Sequence, residues 1–325
     1  MKNGRNISQY DVISQLRFPM IILVTYAHSY GRVADDFVWL YSDCDMYEFL
    51  KLLISQTLVK VAVPVFYIMS GYLFFCHLEQ WKWDVWRQKM MRRGLTLLLP
   101  YLFWNLLMAL KLHDFSWYIF LEPANMPLWF LRDLMVVSLF TPVIYWGVRH
   151  LGFWLLAALA VIYFAGTRET TPGLSAYAIC YFTLGAFLSI RRMDLIATMR
   201  HFEIPAYILS FLLAVAMLLT YHTSVFHHLM LAFRLFGAIS VFCLASRMMT
   251  LTDYRIPKVV CDSSYFIYLA HYVFFLSVID SVFFSLFGTS EVSLSVHYLL
   301  CPLLKVILFV AVYVLYRRLK TVIFN

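Results

Sequence analysis

Apolar segments close to the length needed to cross a lipid bilayer recur along the whole chain. A helix that spans the hydrocarbon core needs roughly 20 predominantly apolar residues, and ten stretches of about that length alternate with more polar loops. These stretches are about 13–30, 57–76, 94–110, 127–147, 150–165, 175–190, 204–221, 229–249, 264–287 and 296–316. The pattern predicts an all-α integral membrane protein with ten transmembrane helices in a single membrane domain, 1–325.

Composition supports this class. Hydrophobic residues make up 62% of the 325 residues and charged residues 14%, against roughly 45–50% and about 25% in soluble domains. A soluble protein of this length cannot bury so much apolar surface, whereas lipid can cover it.

Only residues 147–150 separate the fourth and fifth stretches. One continuous helix there would be roughly 58 Å long, about twice the hydrocarbon thickness, so we expect a tight hairpin.

The distribution of Lys and Arg predicts the orientation. Loops and the adjoining ends of the stretches together place seventeen basic residues on one side and five on the other. The five are Arg32, Lys51, Lys60, Lys111 and Arg168. Cytoplasmic loops carry the excess of basic residues, so we expect both termini in the cytoplasm. The net charge of +8 thus indicates topology, not a nucleic-acid partner, because no basic patch is interleaved with aromatic residues.

The sequence lacks the usual metal and nucleotide signatures. Its six cysteines include no CxxC pair, and the adjacent His227 and His228 point in different directions on a helix. It has neither a Gly-rich phosphate loop nor a GxSxG elbow. We therefore expect no metal site, and these absences argue against a nucleotide-hydrolysing pump and a lipase-like hydrolase.

Arg17 and His28 are the ionisable pair of the first stretch, and such groups within a membrane are functional candidates by default. Eleven residues apart on a helix, they fall about 20° short of one face and roughly 16 Å apart along the axis. The helix would then present a permanent cation and a titratable imidazole to one interior cavity, at different depths. A snorkelling arginine with an interfacial histidine explains the same spacing equally well.

The other ionisable residues within the stretches leave their partners open. Arg132 and Asp133 are adjacent, and they either neutralise one another or pair separately with neighbouring helices. Arg234 and Lys305 have no acidic residue nearby in the sequence, so we expect them to face the bundle interior, where Asp280 is a candidate partner for either.

Five segments, in order along the chain, form a characteristic set. The first is Arg17-x10-His28, and the others are 66–74 (FYIMSGYLF), 99–101 (LPY) followed by Trp104, 128–131 (LWFL) and 264–271 (SYFIYLAH). Together they resemble the acyltransferase-3 family of integral membrane acyltransferases, which includes the O-acetyltransferases of bacterial surface polysaccharides. The chain departs from that family's Arg-x-x-Arg before Pro-Tyr, because Arg93 is followed three positions later by Thr96.

The resemblance implies transfer of an acyl group, usually acetyl, from acyl-CoA to a hydroxyl of a cell-envelope or exported glycan at the bacterial inner membrane. The expected partners are acyl-CoA, a glycan or lipid-linked sugar and the bilayer, with no permanently bound cofactor. An imidazole with a pKa of about 6.5 can take the proton of the attacking hydroxyl, so His28 is the candidate base. Arg17 is expected to steady the leaving thiolate or to anchor the phosphate or pantetheine arm of the donor.

Two further groups of residues are binding candidates. The basic residues expected at the cytoplasmic mouth are candidates for the CoA phosphates, although topology alone would also place them there: Lys89, Arg92 and Arg93. Three residues from the family-like segments are candidate substrate contacts: Ser70, Trp129 and His271. Ser70 with Gly71 also suits close helix approach, Trp129 suits packing as well as stacking on a sugar, and His271 suits packing within the bundle.

Two other functions remain open from sequence. In a transporter or flippase, Arg17 and His28 would form a proton relay; such proteins are marked by inverted repeats with broken helices, and the sequence displays no matching pair of interrupted segments. Alternatively, the acceptor is a small molecule in the cytoplasm.

Overall fold

The structure, a computed structural model, describes residues 8–29, 45–78, 80–113, 116–165, 173, 175–273 and 276–324. Throughout these ranges the chain forms helices joined by short turns, and the described residues include no β-strand. The predicted all-α class is therefore confirmed. The chain divides into two compact units, which we call the first unit (Met1–Ala62 with Ile204–Asn325) and the second unit (Val63–Glu203).

The described residues contain fifteen α-helices. They are α1 (Gln9–Ala27), α2 (Met46–Lys51), α3 (Ala62–Phe75), α4 (Trp83–Arg93), α5 (Leu99–Leu112), α6 (Trp129–Leu139), α7 (Thr141–His150), α8 (Phe153–Phe164), α9 (Ala176–Ile190), α10 (Leu195–Arg200), α11 (Glu203–Leu219), α12 (Ser224–Thr252), α13 (Lys258–Ala270), α14 (Leu276–Phe287) and α15 (Glu291–Phe324). Wider π-helical turns cover Leu52–Thr57 and Gly94–Leu98, and tighter 3₁₀ turns cover Leu58–Val61, Trp117–Phe120 and Met126–Leu128.

Several helices are suited to a membrane by length and composition. Four qualify outright: Met46–Phe75, Trp83–Leu112, Ser224–Thr252 and Glu291–Thr321. The pair Met126–Leu139 and Thr141–His150, bent by 59°, adds a fifth if it counts as one span. Each of the ten predicted stretches overlaps a helix, some of them short apolar ones. These helices, four or five among the described residues, support a membrane protein, while ten spans and their orientation remain predictions.

The fourth predicted stretch, 127–147, is two helices, and Pro142 explains the break between α6 and α7. Proline has no N–H to give to the carbonyl four residues earlier, which belongs to Ser138. The hydroxyl of Thr141 donates to that carbonyl instead, at 2.7 Å, and the Trp86 indole N–H donates to the same hydroxyl at 3.0 Å. Helix α6 therefore ends at Leu139, and Pro142 sits in the first turn of α7, where it is tolerated.

The turn expected between the fourth and fifth stretches is present. Helix α7 ends at His150 and α8 begins at Phe153, with Gly152 at φ +57° in the connection. Gly147 on α7 faces Leu155 on α8, and a Cβ built there would lie 3.0 Å from the nearer Leu155 methyl carbon. The two helices are therefore distinct, as their combined length predicted.

The ninth predicted stretch, 264–287, is also interrupted, which the sequence did not indicate. Helix α13 ends at Ala270 and α14 begins at Leu276, although no Gly or Pro occurs within the stretch. His271 therefore lies at a helix end, not inside a continuous span as predicted. Residues 274–275 are outside the described residues.

Within the second unit, α3 and α9 meet backbone to backbone. A Cβ on Gly71 would lie 2.0 Å from the carbonyl oxygen of Phe182, and one on Gly185 would lie 2.0 Å from that of Ile68. Because neither contact leaves room for a methyl group, the crossing requires glycine at both positions. The close approach expected at the Ser70-Gly71 pair is present at Gly71.

Candidate functional site

Helices α1 and α13 lie side by side in the first unit and run in the same direction. Near their starts, the side-chain amide of Gln15 donates to the Ile256 carbonyl at 3.1 Å and accepts from the Ile256 N–H at 2.6 Å. At their other ends, the rings of His28 and His271 are 5.4 Å apart between centroids. Both helices therefore end at one level, each followed directly by a histidine.

His28 is the C-terminal cap of α1. Its φ and ψ of −108° and 14° leave the helical range, while its N–H still bonds to the carbonyls of Thr25 and Tyr26. The half-buried ring lies 5.7 Å from that of Tyr272, edge to face, in addition to its contact with His271. The candidate base therefore stands against a second imidazole that sequence spacing could not associate with it.

The hydrogen bonds of His271 define its tautomer. Its Nδ1 lies 2.8 Å from the carbonyl oxygen of Tyr268 and 3.1 Å from that of Ile267. Because carbonyl oxygens only accept, Nδ1 carries the proton, and in the neutral ring Nε2 holds a lone pair. The side chain is 1% exposed, and its Nε2 has no hydrogen-bond partner among the described residues.

Cationic side chains add to the histidine pair. Lys60, in the 3₁₀ turn before α3, acts electrostatically on His28, and Arg234 on α12 acts on Lys60. Val61, which follows Lys60 in the 3₁₀ turn, packs against α12. A Cβ built on Gly237 of α12 would lie 2.5 Å from a methyl carbon of Val61. The positive charge that Lys60 places near His28 favours a ligand with an anionic group.

Arg17 lies apart from the histidine pair. It is exposed on α1 and acts electrostatically on the Cys261 thiol, near the start of α13. At 1.5 Å per residue, the helix carries it roughly 16 Å from the level of His28. The expected separation along the helix axis is thus present, while the different depths in a membrane and a shared cavity remain predictions.

The predicted CoA-binding residues belong to the second unit. Lys89 donates to the carbonyl of Phe74, and Arg93 donates to the hydroxyl of Ser138. Both cations also face the Phe74 ring, at 5.0 Å and 4.8 Å from its centroid. These two are held by the protein itself, whereas Arg92 is exposed; phosphate binding by all three remains a prediction.

The other candidates in the second unit have packing contacts. Trp129 is half-buried at the start of α6, with its ring 6.4 Å from that of Phe130, and Ser70 is half-buried on α3. Arg132 and Asp133 pair with each other, Nη2 to Oδ1 at 2.8 Å. The mutual pairing left open by the sequence is therefore present. Substrate contact by Trp129 and Ser70 remains a prediction.

A buried ion cluster in the first unit includes one residue that sequence reasoning missed. Asp280 on α14 accepts from Lys305 Nζ and from His297 Nε2 on α15, each at 2.8 Å. Positions 297, 301 and 305 share one face of α15, a spacing that could have revealed His297. Lys305 is therefore the partner of Asp280.

This cluster also bears on the expectation of no metal site. Ligand atoms of Asp280, His297 and Cys301 lie within 4.8 Å of one another, close enough to hold an ion. The ammonium of Lys305 already balances the carboxylate, which favours an ion pair here over a metal centre. The prediction of no metal site stands as a prediction.

Comparison with known proteins agrees with the motifs. A family model described as an acyltransferase domain matches residues 11–317. The chain is also 27% identical, over 171 residues, to the succinoglycan biosynthesis protein ExoH of Rhizobium meliloti (strain 1021); this covers 44% of the chain and 40% of the relative, so the similarity spans less than half the length of that protein. No solved structure matches the chain. Because the family match runs through nearly all of the sequence, the protein belongs to the acyltransferase-3 family.

Proposed function

We propose that the protein is an O-acyltransferase of the bacterial cytoplasmic membrane, which moves an acyl group, acetyl in the first instance, from acyl-CoA to a hydroxyl of an exported or cell-envelope glycan. The observation that carries the proposal is the placement of His28, the motif histidine of the family-like segments, against His271 where α1 and α13 end. The similarity to a protein named for succinoglycan biosynthesis supports a glycan as acceptor.

The chemistry follows from the side chains. A sugar hydroxyl is a weak nucleophile, and the His28 imidazole removes its proton as the oxygen attacks the thioester carbon. The carbon–sulfur bond then breaks, and the proton passes from His28 to the thiolate, so that ester and CoA thiol are the products. Lys60, the cation that acts on His28, stabilises negative charge that develops during attack.

Donor binding uses the opposite end of α1. Arg17 contacts the donor with a planar fork of hydrogen-bond donors that stays charged. Considered by itself, the second unit offers Arg92, the exposed member of the basic group that precedes the Pro-Tyr motif, as a candidate contact for a CoA phosphate. Lys89 and Arg93, already engaged with Phe74 and Ser138, orient that segment.

A transporter or flippase is the second candidate, and the helix breaks are the observation that favours it. The chain is interrupted between α6 and α7 and again between α13 and α14, and interrupted helices mark ion and substrate sites in many transporters. In that function His28 and His271 would carry protons without any acyl transfer.

Cells provide a test that does not require the sugar to be identified first. A deletion strain is complemented with wild type, His28→Gln or, as a matched control, His228→Gln at an exposed position on α12. Alkali-labile acyl esters are then measured on purified surface and exported polysaccharide at equal membrane levels of protein.

We expect wild type and His228→Gln to restore the esters and His28→Gln to leave them at the level of the deletion strain, because glutamine cannot act as a base. Polysaccharide that disappears altogether in the deletion strain would favour the transporter. Equal ester content in deletion and wild-type strains would overturn the proposed function.

A further inference from the structure

In its neutral tautomer, His271 has a nucleophilic Nε2 atom. A mechanism in which His28 is the single base does not use this atom. The Nδ1–H of His271 is held by the carbonyls of Tyr268 and Ile267, so the lone pair of the neutral ring lies on Nε2. That atom is buried, and no described residue bonds to it. A buried polar atom without a hydrogen-bond partner costs free energy, and a catalytic role is one explanation for such an atom in a native structure.

Two features of its own helix would stabilise a positive charge that forms on the His271 ring during a reaction, against the repulsion of Lys60, which acts on the neighbouring His28. The two carbonyl oxygens accept from Nδ1–H and would bond more strongly if the ring became cationic. His271 also directly follows the last residue of α13, where the helix dipole places partial negative charge. An acylated imidazole that keeps its Nδ1 proton carries such a charge.

We propose that Nε2 of His271 is the nucleophile that first accepts the acyl group, forming an acyl-imidazole intermediate; this inference rests on the proposed acyl-transfer function. In the first step the Nε2 lone pair attacks the thioester carbon, the carbon–nitrogen bond forms and the carbon–sulfur bond breaks. CoA leaves as the thiolate, and the ring becomes an acyl-imidazolium with its Nδ1 proton still donated to Tyr268 and Ile267.

The second step involves the neighbouring histidine. The sugar oxygen attacks the acyl carbon while His28 takes the hydroxyl proton, and the bond to Nε2 breaks with its electron pair returning to the ring. His28 then releases its proton to water, which balances the proton that the departed CoA thiolate takes from water, and both rings are restored as neutral imidazoles. The ring centroids of the two histidines are 5.4 Å apart, so an acyl group on the His271 ring stays close to His28.

This division of roles also fits the two faces of a membrane. A donor that enters from the cytoplasm and a glycan that enters from the other side need not be bound at the same time if the protein holds the acyl group between them. Burial of His271 at 1% exposure keeps water from hydrolysing the intermediate.

Isotope exchange tests the intermediate without any glycan. Purified protein is incubated with radiolabelled CoA and the acyl-CoA whose acyl group matches the ester recovered from polysaccharide. An acyl-enzyme returns its acyl group to labelled CoA, so wild type makes labelled acyl-CoA. We expect His271→Asn, whose amide preserves a donor near Nδ1 but removes Nε2, to lose exchange by at least a hundredfold. His28→Gln retains exchange within about fivefold, because the first step does not need it.

A second measurement holds even if His271→Asn folds poorly. Wild type quenched during turnover and digested is expected to carry a hydroxylamine-sensitive acyl group on the peptide that contains His271. An acyl group on any other residue, or exchange that depends on His28 and not on His271, would overturn the inference. Absence of exchange in a wild-type protein that still esterifies polysaccharide in cells would overturn it too, while leaving the proposed function intact.

Discussion

Gln15 on α1 exchanges two hydrogen bonds with the backbone of Ile256, a residue 241 positions further along the chain. The same amide nitrogen also approaches the Cys261 thiol at 3.7 Å. These contacts set the lengthwise register of α1 against α13, and the register determines that His28 and His271 meet at the far ends. A polar side chain near one end of the helix pair therefore positions the reacting groups at the other.

Replacing Gln15 with leucine tests this positioning role. The change leaves the Ile256 N–H without its partner and the Ile256 carbonyl with only the Cys261 thiol, 3.8 Å away. We expect a loss of about 1–3 kcal/mol in stability together with slower acyl transfer. Thermal unfolding and initial rates of Gln15→Leu measure both. Gln88→Leu, at an exposed position on α4, is the matched control and should stay within about 0.5 kcal/mol. Full activity in Gln15→Leu would contradict the role.

Arg17→Lys separates a donor contact from an anchor at the membrane surface. Lysine keeps the charge but lacks the planar fork, so a residue that binds the phosphate or pantetheine arm of the donor loses function. We expect kcat/KM for acyl-CoA to fall more than about tenfold, or about 1.4 kcal/mol of transition-state stabilisation. Arg318→Lys, exposed on α15, serves as control. Near-normal kinetics in Arg17→Lys would make Arg17 a snorkelling anchor.

The ion cluster predicts a large effect on stability from Lys305→Met. Lys305 is 2% exposed and pairs with Asp280, so its removal leaves a carboxylate without its cation. We expect a loss of about 3–5 kcal/mol in unfolding free energy. The double variant Asp280→Asn with Lys305→Met should recover part of it, because the uncompensated charge is then gone. Equal stability of the single and double variants would show that the pair is not coupled.

Two glycines should respond in opposite directions to the same substitution. Gly71→Ala drives a methyl group against the backbone of Phe182, and we expect a destabilisation of about 1–3 kcal/mol or more. At Gly94 a Cβ meets nothing within 4 Å, so Gly94→Ala should stabilise its helical segment by about 0.5–1 kcal/mol. Thermal unfolding of both variants makes the comparison. A tolerated Gly71→Ala would contradict the close crossing of α3 and α9.

Thiol labelling tests the orientation inferred from loop charge. In a background without native cysteines, a single cysteine within 35–48 should react with a membrane-impermeant reagent in intact cells. One placed within 82–89 should react only after lysis, because that basic loop is expected in the cytoplasm. Residues 35–44 lie outside the described residues, so this expectation rests on sequence. The opposite labelling would place His28 at the cytoplasmic end of α1.

Local pattern carried much of the prediction. Apolar segment length and helical rise account for three features. These are the all-α class, the turn between α7 and α8, and the separation of Arg17 and His28 along the axis of α1. The motif segments also indicated the family correctly, since each is contiguous in sequence. The break at Pro142 was readable in principle, because proline removes a specific helical hydrogen bond.

The tertiary structure alone decided which residues meet. Gly185 opposite Gly71, His297 beside Asp280 and His271 against His28 all join residues from different helices. The interruption after Ala270 likewise has no Gly or Pro to announce it. Sequence periodicity reports which face of a helix a residue occupies, whereas the neighbour of that face depends on how side chains from distant segments interdigitate. That packing is what made His28 one of a pair.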